Sequence, residues 1–205
     1  MKTITAIESQ KRAKKRFNVF LDGAFAFSLG REVVEEQGLH LGQTLSDSQI
    51  EELAGADLFG KCLDAALRLL SYRPRSEAEI RRRLSRRFDG QIVERVGLHL
   101  RARQMIDDAA FAQFWRENRE SFRPCSKRLL RMELKGKGVA SEVIDEVLVG
   151  IDDEESAYRA AQRRARTLEK DYETFRRKLD PFLGRRGFSY GVINSTIERL
   201  WREIS

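Results

Sequence analysis

Two adjacent carboxylate pairs, Asp107-Asp108 and Asp152-Asp153, hold the most obvious chemical potential in this sequence. Paired carboxylates can hold a divalent cation, and a held cation can activate water for phosphodiester hydrolysis. Such a nuclease site needs a third carboxylate or a histidine at a matching spacing, and neither pair has one. Each pair stands where a helical pattern begins. Acidic side chains there take free backbone amides and complement the helix dipole. Capping is therefore the expected role, and no metal site is expected. The two histidines, His40 and His99, share no motif, and His99 sits between Leu98 and Leu100 as a surface or half-buried helix residue. Cys62 and Cys125 lie far apart without metal-ligand spacing. Each is expected to pack as a small apolar residue in a reducing compartment, the cytoplasm. The sequence has no Walker loop, no Gly-x-Gly-x-x-Gly after a strand and no His-Glu-x-x-His. Gly136-Lys137-Gly138 is short and closes a helix, where C-capping accounts for it. The chain reads as non-enzymatic, without a catalytic residue or a cofactor.

Cations give a stronger signal. Lys and Arg number 39 against 32 Asp and Glu, for a formal charge of +7. They gather in clusters. Lys11, Arg12, Lys14, Lys15 and Arg16 form the first, and Arg81, Arg82, Arg83, Arg86 and Arg87 the densest. Lys127, Arg128, Arg131, Lys135 and Lys137 form another. Arg163, Arg164 and Arg166, then Arg176, Arg177 and Lys178, then Arg185 and Arg186 complete the series. The Arg81–Arg87 and Lys127–Lys137 groups, with Arg185 and Arg186, are the candidate contact residues. A positive track of this kind can follow a phosphate backbone through counterion release. It can equally grip an acidic protein groove. A solvated helix face is the third alternative, since Glu77, Glu79 and Glu133 dilute the charge.

The elements that must carry these cations repeat. Arg82-Arg83-Leu84 leads through Phe88 to Asp89-Gly90, Lys127 to Leu134 leads to Gly136-Lys137-Gly138, and Arg176 to Leu183 leads to Gly184-Arg185-Arg186-Gly187. With Gly90, Gly138 and Gly187 in register the period is about 50 residues, in the range of repeat architectures. Leu84, Leu134 and Leu183 become equivalent core positions. The fold class expected is mainly α: three tandem three-helix units in an elongated array, preceded by a small module containing a β-hairpin. The bounds are 1–56 for that module and 57–105, 106–153 and 154–205 for the units. In the module, Phe17, Val19 and Leu21, then Phe25, Phe27 and Leu29, alternate around Asp22-Gly23. That is a hairpin signal, because both central positions of a type I′ turn need positive φ. Ile4–Ile7 can supply a third strand, Glu32–Gln37 a short helix stopped by Gly38, and Ser46 the cap of a further helix with Ile50 and Leu53.

In the first unit Leu63, Leu67 and Leu70 form one stripe, Ile80, Leu84 and Phe88 a second, and Ile92, Val96 and Leu100 a third. Ser76 with Glu79 makes a capping box. The second unit offers Ile106, Phe111, Phe114 and Trp115, then Leu130 and Leu134, then Val143, Ile144, Val147 and Leu148. The third offers Tyr158 to Leu168, then Phe175, Leu179 and Phe182, then Ile193, Ile197, Leu200, Trp201 and Ile204. Pro181 interrupts the third unit's second helix, where a kink or restart would turn Arg176, Arg177 and Lys178 off the track. No apolar run approaches the ~20 residues needed to span a bilayer, and the start of the sequence lacks a signal-peptide pattern.

Four segments in order resemble the bacterial RecX family over about residues 60–205. They are Arg73-Pro74-Arg75-Ser76-Glu77, Ile106 to Ala112 with Trp115 and Arg119, Glu133 to Gly138, and Phe182 to Ser189. The resemblance implies a cytoplasmic, non-enzymatic regulator of RecA, built from tandem three-helix units. Such a regulator lies in the groove of the RecA–ssDNA filament and inhibits strand exchange and coprotease activity. It would modulate DNA repair, recombination and the SOS response, acting as a monomer, and some members bind DNA directly. The first 55 residues look like an N-terminal extension found in part of the family. The competing reading is an autonomous nucleic-acid-binding helical protein or transcription regulator, with one recognition helix per unit.

Overall fold

A computed structural model describes residues 1–10, 15–168 and 171–204. The chain divides into two compact units, one of Met1–Arg73 with Arg81–Ala102, the other of Pro74–Ile80 with Arg103–Ser205.

The first unit opens with an antiparallel sheet. Strands β1 (Lys2–Ser9), β2 (Arg16–Leu21), β3 (Ala24–Gly30) and β4 (Thr44–Leu45) lie in the order β3-β2-β1-β4. The hairpin turns where alternation places it. Asp22 and Gly23 take φ of 49° and 82°, the left-handed pair that a type I′ turn requires. Ile4, Val19, Leu21, Leu29 and Leu45 form the sheet's core with Val33 and Leu53. Phe25 falls outside the alternation, at 59% exposure. The register shifts between Val19 and Phe20, and the Phe25 ring meets Phe20 edge to face at 5.9 Å. β4 was not anticipated, because two residues are too few to alternate.

Helix α1 (Arg31–Glu36) ends before Gly38, whose φ is 59°. Helix α2 (Asp47–Tyr72) starts in a capping box, with the Gln49 N–H on Ser46 Oγ at 3.2 Å and the Ser46 N–H on Gln49 Oε1 at 2.9 Å. It is one helix of 26 residues and runs through residue 56, so the separate helices expected on either side of that position are one. Its buried face is Leu53, Asp57, Cys62 and Ala66; the expected stripe residue Leu67 is exposed. Asp57 docks the helix on the sheet. Its Oδ1 accepts the Gly30 N–H at 2.9 Å, and its Oδ2 accepts Arg16 Nη2 at 3.0 Å and Lys61 Nζ at 2.6 Å. Helices α3 (Glu77–Leu84) and α4 (Gly90–Ala102) follow. α3 stops at Leu84, so Arg86 and Arg87 lie in the turn beyond it and not on the expected basic helix. α4 buries Val93, Val96 and Leu100, one position off the expected start at Ile92. His99 is half-buried, its ring edge to face with Phe59 at 5.4 Å.

The second unit adds α5 (Asp108–Phe122), α6 (Lys127–Gly136), α7 (Ser141–Val147), α8 (Asp153–Ala165), α9 (Tyr172–Gly184) and α10 (Tyr190–Ile204). Among the described residues no strand lies beyond Leu45. One core gathers Phe111, Leu130, Leu134, Ile144 and Leu148, a second Phe175, Leu179, Leu183, Ile193, Ile197 and Leu200. Small residues let α8 approach the second core, since its buried face is Ala157, Ala161 and Ala165. Leu84, Leu134 and Leu183 are all buried, as the repeat requires. The register fails at Gly90. Gly138 and Gly187 have φ of 81° and 83°, whereas Gly90 begins α4 without a left-handed backbone. Helix α9 does not restart at Pro181 but continues to Gly184. Arg176 stays within its unit, where Nη2 donates to Asn194 Oδ1 at 2.7 Å and ties α9 to α10.

Burial pushes the Asp57 carboxyl up, but the hydrogen bonds from Arg16, Lys61 and Gly30 outweigh it and hold the group below the usual carboxylate range. A lowered carboxylate stabilises the fold above its unfolded value of about 3.9 and loses that contribution as pH falls through the folded value. Asp57→Ala is expected to lose about 1–3 kcal/mol in urea denaturation at pH 7, because the Gly30 amide and two cations are left without it. The difference from the parent should shrink below about pH 4.

Candidate interaction surfaces

The second unit contains two joints built alike. Ser76 and Ser126 are both fully buried. Ser76 Oγ accepts the Glu79 N–H at 3.2 Å, as its expected capping role requires, and also donates to the Lys137 carbonyl at 2.6 Å. Ser126 Oγ accepts the Leu129 N–H at 3.1 Å, and its own N–H donates to the Arg186 carbonyl at 3.0 Å. Each serine thus starts one helix and holds the turn that closes another, about one repeat later in the chain. The turns come close because they end in glycine. A Cβ on Gly138 would stand 2.3 Å from Ala78 Cβ, and one on Gly187 2.7 Å from Ser126 Oγ and 2.9 Å from Leu129 Cβ.

The carboxylate pairs complete the joints. The first member of each pair caps its own helix. Asp107 Oδ1 accepts the amides of Ala109 and Ala110 at 2.8 and 3.1 Å, and Asp152 Oδ1 those of Glu154 and Glu155 at 2.8 and 3.4 Å. The second member reaches back to the preceding repeat. Asp108 Oδ1 accepts the Glu77 N–H at 2.9 Å, and Asp153 Oδ1 the Lys127 N–H at 2.7 Å. Among the described residues no three His, Cys, Asp or Glu side chains gather in a way that could hold a metal.

The joints also take up two of the candidate cations. Lys137 Nζ lies 3.2 Å from Glu79 Oε1 and 3.9 Å from the Trp115 ring centroid. Trp115 Nε1–H donates to Glu133 at 2.8 Å, and Arg119 grips the same carboxylate with Nε and Nη2 at 2.9 and 2.7 Å. The Arg186 guanidinium lies 3.8 Å from the Phe182 ring centroid. Burial pushes Arg186 down from its ordinary value, and the neighbouring cations Arg123, Arg185 and Arg164 push it further. Beside it the Cys125 thiol is pushed up to about 11, mainly by burial, which keeps it a packed thiol.

The remaining candidates divide by partner. Arg81 pairs with Glu94 and Arg131 with Asp145. Lys127 is half-buried, and Arg82 is exposed. Arg83, Arg86 and Arg87 in the first unit, and Arg128, Lys135 and Arg185 in the second, point to solvent. Arg16 is committed to Asp57, Lys15 is exposed, and Lys11, Arg12 and Lys14 lie outside the described residues. The Glu133 network was not foreseen, although Trp115 and Arg119, four apart on one helix, were its visible trace. No described helix is long and apolar enough to cross a membrane.

A small antiparallel sheet followed by three-helix units with serine–glycine joints defines a helical-repeat protein, and comparison with known proteins gives the family. The RecX N-terminal domain model matches residues 2–46, and the first, second and third RecX three-helix domains match residues 62–96, 107–148 and 152–197. The "Regulatory protein RecX" of Bacillus velezensis is 31% identical over 97% of this chain and 78% of its own. That of Clostridium perfringens strain SM101 is 30% identical over 98% of this chain and 97% of its own. A solved regulatory protein RecX superposes with a TM-score of 0.70 at 30% identity, covering 97% of this chain and all of its own. RecX from Lactobacillus salivarius shares the fold over 71% of this chain, with a TM-score of 0.59 at 23% identity. The chain belongs to the RecX family of regulatory proteins.

Two outcomes test the joints. Gly138→Ala should lose at least about 2 kcal/mol in chemical denaturation, from a strained left-handed backbone and the clash with Ala78. A double-mutant cycle with Ala78→Gly should return part of that loss as coupling. For Asp108, burial pushes the carboxyl up, the Glu77 amide pulls it down and the Asp107 charge pushes it up, with a net rise. A raised carboxylate favours the fold at low pH and loses that contribution as pH rises through the folded value. Asp108→Asn keeps the acceptor and should therefore be at least as stable as the parent at pH 7, the margin vanishing in acid. Asp108→Ala leaves the Glu77 amide bare and should lose about 1 kcal/mol.

Proposed function

We propose that this chain is a non-enzymatic regulator of the RecA recombinase. It binds in the groove of the RecA–ssDNA filament, inhibits it, and so modulates recombination, DNA repair and the SOS response. It acts in the cytoplasm as a monomer. The family supports the regulatory role, and the resemblance of the helical units' motifs to RecX supports the choice of target. The observation that carries the reading is the sorting of the cations. Lys137, Arg119, Arg176 and Arg16 are tied into the fold, while Arg83, Arg86, Arg87, Arg128, Lys135 and Arg185 are left facing solvent. Exposed cations set around a repeated core are suited to a polyanionic or acid-lined partner. Arg81, Arg82, Lys127, Arg131, Lys137 and Arg186 complete the proposed contact set, the last two from positions that also hold the joints.

Arg83→Glu with Arg86→Glu should weaken binding to preformed RecA–ssDNA filaments roughly tenfold at low salt, about 1.4 kcal/mol. Circular dichroism and Tm should not change, and the difference should shrink as salt screens the same attraction in the parent. Fluorescence anisotropy with filaments and with naked ssDNA separates the readings. An equal loss on both would favour the autonomous nucleic-acid binder, and no loss on either would make these arginines solvated surface.

A further inference from the structure

A second positive site lies in the second unit. The end of α5, the segment that follows it and one face of α8 enclose an open groove of about 480 Å³. It is lined by Phe122, Arg123, Pro124, Arg159, Arg163 and Arg186. The one carboxylate on its wall, Glu120, is already held by Arg116 Nε at 2.8 Å. Arg123, Arg159 and Arg163 are exposed, and among the described residues no carboxylate pairs with any of them. Arg164 and Arg185 add charge beside Arg186, which burial first and then Arg123 and these two cations push down from its ordinary value. The fold therefore holds several guanidinium groups close together without an internal counterion. This opposes folding by self-repulsion unless an anion joins them.

The aromatic side chains narrow the class of anion. Phe122 is 78% exposed on the groove's wall, where packing does not account for it. An exposed ring beside unpaired arginines is how single-stranded nucleic acid is held: the ring takes a base face and the guanidinium groups take phosphates. Arg159 and Arg163 are one helical turn apart, about 6 Å along α8, so they can engage separate points of a strand. A duplex has no free base to offer the ring, and a purely acidic peptide has no apolar group to set against it.

We propose that the groove between the end of α5 and α8 is a binding site for single-stranded nucleic acid, with Phe122 as the stacking platform and Arg123, Arg159, Arg163 and Arg186 as phosphate ligands. The site acts on free strand and does not depend on the filament reading, so it is tested with RecA absent. The probe is a fluorescein-labelled oligothymidylate, titrated with the full chain across a salt series. Arg159→Glu with Arg163→Glu should weaken binding at least about tenfold, and lower the slope of log K against log salt by about 1.4, since each phosphate contact on a single strand contributes roughly 0.7. Phe122→Ala should weaken binding about fivefold or more without changing that slope. Binding of a hairpin duplex should be indifferent to Phe122→Ala. All three substituted side chains are exposed, and matching Tm values verify folding. Arg159→Lys with Arg163→Lys keeps the charge and should retain most of the affinity. The proposal is overturned if the parent does not bind the oligonucleotide, or if both variants bind it as the parent does. It is overturned in favour of an acidic protein ligand if labelled polyglutamate binds as tightly as the oligonucleotide and Phe122→Ala changes neither.

Discussion

Two buried serines, Ser76 and Ser126, set the constraint on which the second unit depends. Each begins a helix, and each is hydrogen-bonded to the carbonyl of a turn that closes a later helix. A buried hydroxyl or amide without a partner costs on the order of 1–3 kcal/mol, so the turn must come within bonding distance of the helix start. Only a turn ending in left-handed glycine can do so, because any side chain at Gly138 or Gly187 would meet Ala78 in one joint and Ser126 and Leu129 in the other. The same approach exposes the first amides of the serine's helix to the next repeat. Asp108 and Asp153 then fill positions that water would otherwise take. Serine, glycine and the second aspartate are thus one device in three separated pieces of sequence. Gly90 stands outside it for a simple reason: no helical repeat precedes the first, so its turn has no earlier serine to meet.

The device also gives many of the chain's acids a place in the fold. Acidic and basic residues are nearly balanced in number, at 32 and 39. The acids, however, are drawn toward the fold's own donors. Asp57, Glu79, Asp107, Asp108, Glu133, Asp152 and Asp153 each bond an amide or a cation in their own unit. Helix starts need hydrogen-bond acceptors and favour anions, and these caps cannot be made by lysine or arginine. These acids are committed to the fold even where they stay at its surface, as Asp107 and Asp152 do.

Local features were legible in the sequence. The Asp22-Gly23 turn follows from alternation and from the φ that its two residues accept. The stripes Ile80-Leu84, Leu130-Leu134 and Phe175-Leu179-Leu183 follow from a 3.6 period, and the first member of each aspartate pair from its place before that period begins. The failures share a different cause. Helix α2 reads as two because small residues and a carboxylate occupy its buried face, so the apolar signal fades in mid-helix. Asp57 looks like a surface charge until Gly30 and Arg16, which are remote in sequence, are brought against it. Likewise Lys137 and Arg128 are alike as cations of one cluster. Only Trp115 and Glu79, brought close by folding, make one of them a joint residue and leave the other in water.

This separation bears on how a regulator of this kind can change its surface without losing its fold. The joints use backbone amides, a hydroxyl and the absence of a side chain, and these tolerate almost no substitution. The exposed arginines rest on stripes of leucine and phenylalanine that do not need them. Arg83 and Arg86 can be exchanged while Ile80 and Leu84 stay buried, and Arg128 while Leu130 and Leu134 do. Lys137 and Arg186 are the exceptions, because each stacks on an aromatic ring of its own unit. Under the proposed contact set, partner choice is free to vary at the first group of cations and is coupled to stability at the second. Interaction data on the two groups must therefore be read together with unfolding data only for the second.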